Sequence, residues 1–253
     1  MTEEAAKEER LPLGRGVRIL HRAGGVVALD KPSGCRSHPG RGQRDPGALL
    51  TVPFRVKDEA FCWREASGRE RTLYLLHRLD APTSGVILLA EEGDVAAEAK
   101  RCFSAHAVEK VYFALVRGTP SKLPATWRDR LRTGQQGKGR RTVSGSGAPA
   151  ECRVEVASRS RAHGGLTLLR LHPKTGRTHQ LRVQCADRHL PIVGDATYGD
   201  FAFNRRFARE EGEKRLFLHA SSIELRVGGT RFRAESPLPG VFRRFTEEIG
   251  GGG

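Results

Sequence analysis

The chain has 253 residues, 38% of them hydrophobic and 29% charged, which is enough to bury a core without help from disulfides or metal. Forty-four Lys and Arg against 29 Asp and Glu leave a formal charge of +15. No apolar run approaches the roughly 20 residues that span a bilayer, so a membrane-spanning helix is excluded.

Only nine of the basic residues are Lys, so Arg carries the excess. Its planar fork suits phosphate contacts and base stacking. A chain this basic suggests a polyanionic partner, nucleic acid above all; the plainer reading is a solvated basic surface. Residues Met1–Arg10 are acidic and Ala-rich, with no apolar stretch behind a basic start. A secretory signal is therefore not expected, and a cytoplasmic protein is. Cys35, Cys62, Cys102, Cys152 and Cys185 are scattered singly. That is neither a disulfide framework nor a zinc-ligand pattern, and it fits reduced thiols.

In chain order, residues 1–15 read as a charged leader. Val17–Leu20 and Gly25–Leu29 form an expected hairpin, broken by Lys31-Pro32-Ser33-Gly34. Leu73–Leu76 and Val86–Ala90 are apolar runs around a polar turn. Asp94 is a candidate N-cap for a helix reaching His106, with Val95, Ala99, Cys102 and Phe103 along one stripe. Val111–Val116 is a β-branched and aromatic strand. Residues 119–148, rich in Gly, Arg and Ser, read as a flexible basic insertion. Within it Gly137-Lys138-Gly139-Arg140-Arg141 reads equally as a phosphate-seeking loop or as a connector. Further strands are expected at Cys152–Val156, Leu166–Leu171, Phe217–Leu225 and Thr230–Arg233. A helix is expected at Thr178–Asp187, with Thr178 as its candidate cap, and Gly250–Gly253 form a tail. Strands dominate and helices are irregularly interspersed, an α+β pattern rather than strict βαβ winding.

Three constellations carry chemistry. His77-Arg78-Leu79-Asp80-Ala81-Pro82-Thr83-Ser84-Gly85 sits between two apolar strands, where a scaffold offers reactive groups to a ligand. Asp80 reads as such a group or as an Asp closing a tight turn. Lys174-Thr175-Gly176-Arg177-Thr178-His179-Gln180-Leu181-Arg182 gathers three cations at a turn-to-helix junction. Cations there oppose the helix dipole, so an anion is expected nearby. The third, Glu109-Lys110-Val111-Tyr112, brings an aromatic into a strand, where packing is the commoner role.

Taken together, these residues resemble the RluA-type pseudouridine synthases. His77-Arg78-Leu79-Asp80 with Thr83-Ser84-Gly85 is similar to that family's signature. So are Asp30-Lys31-Pro32-Ser33-Gly34, with Asp30 where Asn is usual, Lys110-Val111-Tyr112, and the run Thr175–Arg182. Pro191-Ile192-Val193-Gly194-Asp195 with Tyr198-Gly199, and Leu218-His219-Ala220, continue the series. The resemblance runs from Val17 to Phe245, and Gly199-Asp200 and Asn204-Arg205 resemble its tRNA-acting branch. Gln184-Cys185 departs from the usual His-Met or His-Leu, residues 49–71 match poorly, and no S4-type RNA-binding domain is expected.

The resemblance implies one catalytic domain over residues 16–249, built on a bent, mixed, mostly antiparallel β-sheet with flanking helices and a central active-site cleft. It implies an isomerase that acts on structured RNA, tRNA or rRNA, without cofactor or metal and as a monomer. Asp80 is then the reacting carboxylate, with attack on the sugar and removal of a ribose proton both open. Arg177 would form a buried ion pair with Asp80, and Tyr112 would stack on the uracil. Arg78 would enter the space vacated by the extruded base, and Thr83, Lys174, Leu181 and Arg182 would complete the substrate contacts. His77 and His179 have no acid–base work in that scheme and are read as structural. A non-catalytic RNA-binding relative would lack Asp80, Tyr112 or Arg177, and a glycoside hydrolase would need a second carboxylate beside Asp80.

Overall fold

The computed structural model describes residues 11–39, 45–136 and 139–245. Strands β1 (Arg18–Ala23) and β2 (Val26–Lys31) form the expected opening hairpin, its turn carried by Gly24 and Gly25 at positive φ. Then come β3 (Phe54–Arg55), β4 (Ala60–Arg64), β5 (Glu70–Leu75), β6 (Ser84–Ala90), α1 (Gly93–Ser104), β7 (Glu109–Arg117), β8 (Thr126–Gln136) and β9 (Gly139–Ser144). The chain continues through β10 (Ala148–Ser160), β11 (Leu166–Pro173), α2 (Gln180–Ala186), α3 (Phe201–Glu211), β12 (Leu218–Val227), β13 (Thr230–Glu235) and α4 (Gly240–Arg243).

Among the described residues these strands form one mixed sheet in the order β3-β4-β5-β6-β12-β7-β11-β10-β8-β9, with β2 on β6, β1 on β2 and β13 on β12. All pairings are antiparallel except β6 with β12, where Ser84 faces His219 and Gly85 faces Ala220. That contact needs glycine: Gly85 has φ +112, and a Cβ there would lie 2.1 Å from the Ala220 carbonyl oxygen. Side-chain alternation along β2 and β6 splits the core. Val27, Leu29, Ile87 and Leu89 pack on one face with Leu49, Phe54 and Phe61. Val26, Ala28, Val86 and Leu88 pack on the other, beneath Ala96 and Ala99 of α1. A separate core gathers β7, β10, β11 and β12 under α2, α3 and α4, and Tyr112 touches both this core and the Leu29–Ile87 face.

Several sequence expectations need correction. Residues 119–148 are not one irregular insertion, because β8 and β9 lie within them. In β8, Trp127 and Leu131 are buried while Arg128, Arg130 and Arg132 are exposed, the period of a strand with one covered face. Gly137 and Lys138 lie outside the described residues, as do Met1–Arg10 of the leader and the Gly250–Gly253 tail. Leader residues Leu11 and Leu13 pack against the core, and Leu13 bridges Leu50. Asp94 is not the cap of α1, which begins at Gly93 after Glu92; it lies in the first turn, where its charge suits the helix dipole. Thr178 is not the cap of α2 either, since His179 precedes that helix in left-handed conformation.

Candidate active site

Residues 76–83 lead from β5 into β6. One edge of β6 is filled by β2; the other is shared by β12 at Ser84 and Gly85 and by β5 at Leu89 and Ala90. The loop itself bonds the gap between them. Leu76 N donates to the Leu88 carbonyl, and Leu88 N donates to His77 Nε2, both at 3.1 Å. The 31–37 segment holds the loop from behind. Lys31 Nζ donates to the carbonyls of Cys35 (2.7 Å) and Ala81 (3.0 Å), and Ser33 Oγ to that of Pro82 (2.7 Å). Ser37 Oγ donates to the Leu79 carbonyl and accepts from Leu79 N. The Asp80 carbonyl accepts from Thr83 N at 3.0 Å. The backbone on both sides of Asp80 is thus fixed without use of its carboxylate.

That carboxylate meets the second constellation. Arg182, on α2, donates from Nη1 to Asp80 Oδ2 at 3.1 Å. Its Nε and Nη2 make a bidentate pair with Asp195 at 2.7 and 2.8 Å. Arg182 is 5% exposed and Asp195 1%. Burial alone would lower the Arg182 pKa, but the hydrogen bonds and charge of Asp195, then of Asp80, more than offset it and hold the guanidinium charged. Burial likewise pushes the Asp195 carboxyl up, and Arg182 with the amides of Tyr198 and Thr197 holds it below its ordinary value. The expected Asp80–Arg177 ion pair is therefore corrected. Arg177 lies exposed in the turn before α2, where its Nε donates to the Pro149 carbonyl, and the cation on Asp80 is Arg182. Gln180 ties that turn together, accepting from Thr175 Oγ1 (2.6 Å) and Arg177 N (3.1 Å).

The two loops enclose a cavity of about 970 Å³, lined by Arg78, Asp80, Thr83, Lys110, Tyr112, Arg177, His179, Leu181 and Arg182 among others. Of the residues expected at the site, only Lys174 is outside it: its side chain is exposed and does not line the cavity. Thr83 and Leu181 are buried in the wall, whereas Arg78 is exposed and makes no ion pair among the described residues. Burial, and after it the charge of Asp80, raises the Tyr112 phenol well above its ordinary value, so it stays neutral. Burial draws the Lys110 ammonium down to about 8. Lys31 also falls to about 8 through burial, against the opposing pull of Cys35 and Asp80.

Burial, reinforced by Lys110, lowers His77 from 6.5 to about 3, in keeping with a neutral ring that accepts from Leu88 N. Its role is structural, and it has a pH signature. Below pH 6.5 the unfolded chain binds a proton that the folded ring refuses until about pH 3, so stability falls as pH falls through that window. The expected contribution is on the order of 1–2 kcal/mol between pH 7 and pH 5. His77→Gln, whose amide oxygen can accept from Leu88 N, should lose that much less over the same interval. Urea midpoints at the two pH values check this, and equal losses in both proteins contradict it.

Sequence reasoning gave no role to Asp195 or Tyr198, although both lay in the matched segment. Asp195 lies thirteen residues beyond Arg182 and outside α2, so nothing local in the sequence marked it as that cation's partner. Residues 25–187 match the family described as RNA pseudouridylate synthase. The tRNA pseudouridine synthase C of Yersinia pestis is 34% identical over 218 residues, spanning 83% of this chain and 80% of that protein. The ribosomal large subunit pseudouridine synthase C of Salmonella typhimurium is 33% identical over 238 residues, spanning 89% and 68%. Among solved structures, Human RNA Pseudouridylate Synthase Domain Containing 4 is similar at a TM-score of 0.63 and 25% identity, over 89% of this chain and 90% of that one. Human RNA Pseudouridylate Synthase Domain Containing 1 shares the fold at a TM-score of 0.65, over 88% and 83%. The bent, mixed, mostly antiparallel sheet, the Asp80 loop and the extent of these matches lead to one conclusion: the chain belongs to the RNA pseudouridylate synthase family.

Proposed function

We propose that this chain isomerises uridine to pseudouridine in structured RNA, tRNA or rRNA, with Asp80 as the reacting carboxylate. The observation that carries the reading is Asp80, one carboxylate oxygen on buried Arg182, facing a cavity that Tyr112 also lines. The volume falls in the range of small-molecule sites. The isomerisation breaks the C1′–N1 bond, turns the uracil and joins C1′ to C5; C5 gives up its proton and N1 takes one up. Atoms and electrons balance without an oxidant. A carboxylate oriented by an adjacent cation serves as the nucleophile or base. The neutral Tyr112 ring offers a face for the uracil.

The target base must first leave its stack, at a cost of a few kcal/mol. Arg78, exposed at the cavity and two residues before Asp80, is the side chain to fill the gap, since a planar cation stacks and contacts phosphate at once. The remaining basic excess holds the RNA backbone, with affinity falling as salt rises. Tritium release from transcripts carrying 5-tritiated uridine tests the activity, and comparison of tRNA with rRNA fragments identifies the substrate. No release from either class contradicts the reading. Arg78→Ala should lose turnover by ~10-fold or more on a base-paired target and much less where the uridine is already unpaired. Equal loss on both would assign Arg78 to the loop or the phosphate instead.

A further inference from the structure

Helix α3 buries Phe203 and Phe207 in the core that also holds Phe217 and Phe245. Phe201, Arg205 and Arg209, spaced i, i+4 and i+8, form a stripe on the opposite side, and all three are exposed. Phe201 stays 53% exposed and takes no part in that core. The carboxylates on and beside the helix are engaged elsewhere. Asp200 pairs with Arg117, Glu210 with His163 and Arg206, and Glu211 with His163. The side chains of Arg205 and Arg209 make no ion pair or hydrogen bond among the described residues. Successive members of the stripe are ~6 Å apart along the axis, close to the step between neighbouring phosphates of a nucleic-acid strand.

A second groove begins at the same helix. Its volume is about 550 Å³, and Arg117, His189, Tyr198 and Asp200 are among the residues that line it. Tyr198 ties this groove to the Asp80 cavity. Its hydroxyl lies 2.9 Å from Nδ1 of His179, which lines that cavity. RNA seated at Asp80 is therefore two side chains away from the groove that leads to α3.

The chemistry of the stripe selects its partner. An exposed aromatic ring stacks on an unpaired base, and guanidinium groups beside it hold the phosphates of the same strand. A paired helix has no free base face to offer Phe201, so the segment is single-stranded. We propose that Phe201, Arg205 and Arg209 form an accessory site for an unpaired segment of the substrate RNA. Phe201 stacks on a base, the two Arg side chains hold the phosphates that follow, and the groove at Tyr198 joins this site to the Asp80 cavity. The proposal rests on RNA being the substrate and adds a second point at which that RNA is held.

The test measures dissociation constants over a series of salt concentrations for a tRNA transcript and a ribosomal RNA fragment, with thermal melts of every variant. For the RNA that wild type binds more tightly, Phe201→Ala should weaken binding ~10-fold. Phe201→Trp should stay within about twofold of wild type and add a fluorescence component that RNA quenches. Phe201→Leu is apolar but has no π face, and should bind like Phe201→Ala. The double variant Arg205→Gln, Arg209→Gln should flatten the slope of log K against log salt by about 1.4–1.8. A control double variant, Lys57→Gln, Arg69→Gln, alters two exposed cations in the β3–β4 and β4–β5 turns, at the far edge of the sheet. It should change the slope by less than half as much. Binding by Phe201→Ala within about twofold of wild type, equal affinities in the Trp and Leu variants, or equal slope changes in the two double variants would each overturn the proposal. Should Phe201→Ala not fold, the Trp and Leu variants decide the question. Wild type that binds neither RNA overturns this proposal and the isomerase reading together. Wild type that binds RNA but releases no tritium from 5-tritiated transcripts removes the isomerase reading alone, and the affinity series still decides the accessory site.

Discussion

Arg182→Met is expected to lower stability by ~3–5 kcal/mol and turnover by ~10³-fold or more, whereas Arg177→Ala should leave both far less changed. The reason is the double clamp. Arg182 is buried between two carboxylates and makes three charge-assisted hydrogen bonds, two to Asp195 and one to Asp80. Methionine fills much of the stem volume but strands Asp195, which is 1% exposed, without its counter-ion. An unpaired buried charge carries a penalty of several kcal/mol, and Asp195 would take up a proton to avoid it. Asp80 would lose its orienting cation at the same stroke. Arg177→Ala removes one exposed bond to the Pro149 carbonyl and leaves the clamp whole. Its stability should stay within ~1 kcal/mol of wild type. Urea denaturation and tritium release on the two variants check this, and a more damaging Arg177→Ala would return the ion pair to the residue that resemblance first assigned.

The confusion of Arg177 with Arg182 shows where sequence reasoning stops. The Asp80 loop was legible because its meaning is local: a polar turn with one carboxylate between two apolar strands, and β5 and β6 stand where those strands were expected. The choice between two Arg residues five apart depends on which way α2 faces. All six residues from Gln180 to Cys185 are buried, so α2 has no amphipathic stripe to give its orientation away. Charge next to a turn was visible; the face that the helix turned to Asp80 was not.

Other misses had a signal that was read at the wrong level. The β8–β9 hairpin was judged by its Gly, Arg and Ser content, although Trp127 and Leu131 alternate with exposed Arg residues. Helix α3 was passed over, yet Asp200 caps it by accepting from Phe203 N at 2.8 Å, Gly212 closes it in left-handed backbone, and Phe203 and Phe207 are buried one turn apart. His179 illustrates the opposite limit. Nothing local distinguishes it from His77, and their difference lies in partners distant along the chain: Leu88 N for His77, Tyr198 and Asp80 for His179.

The largest effect belongs to Asp80 itself. Asp80→Asn keeps the size and shape of the side chain and removes its charge and its basicity. The loop should hold, because Lys31 and Ser37 bind it through the carbonyls of Ala81 and Leu79, and Arg182 keeps its bidentate hold on Asp195. The melting temperature should therefore stay within a few degrees of wild type. Turnover should not survive, since no other carboxylate lines the cavity among the described residues. The decisive measurement is single-turnover tritium release from 5-tritiated uridine RNA by wild type and Asp80→Asn, with thermal melts of both. A loss of at least ~10⁴-fold in a folded mutant is the expected result, and release within tenfold of wild type would contradict the role given to Asp80.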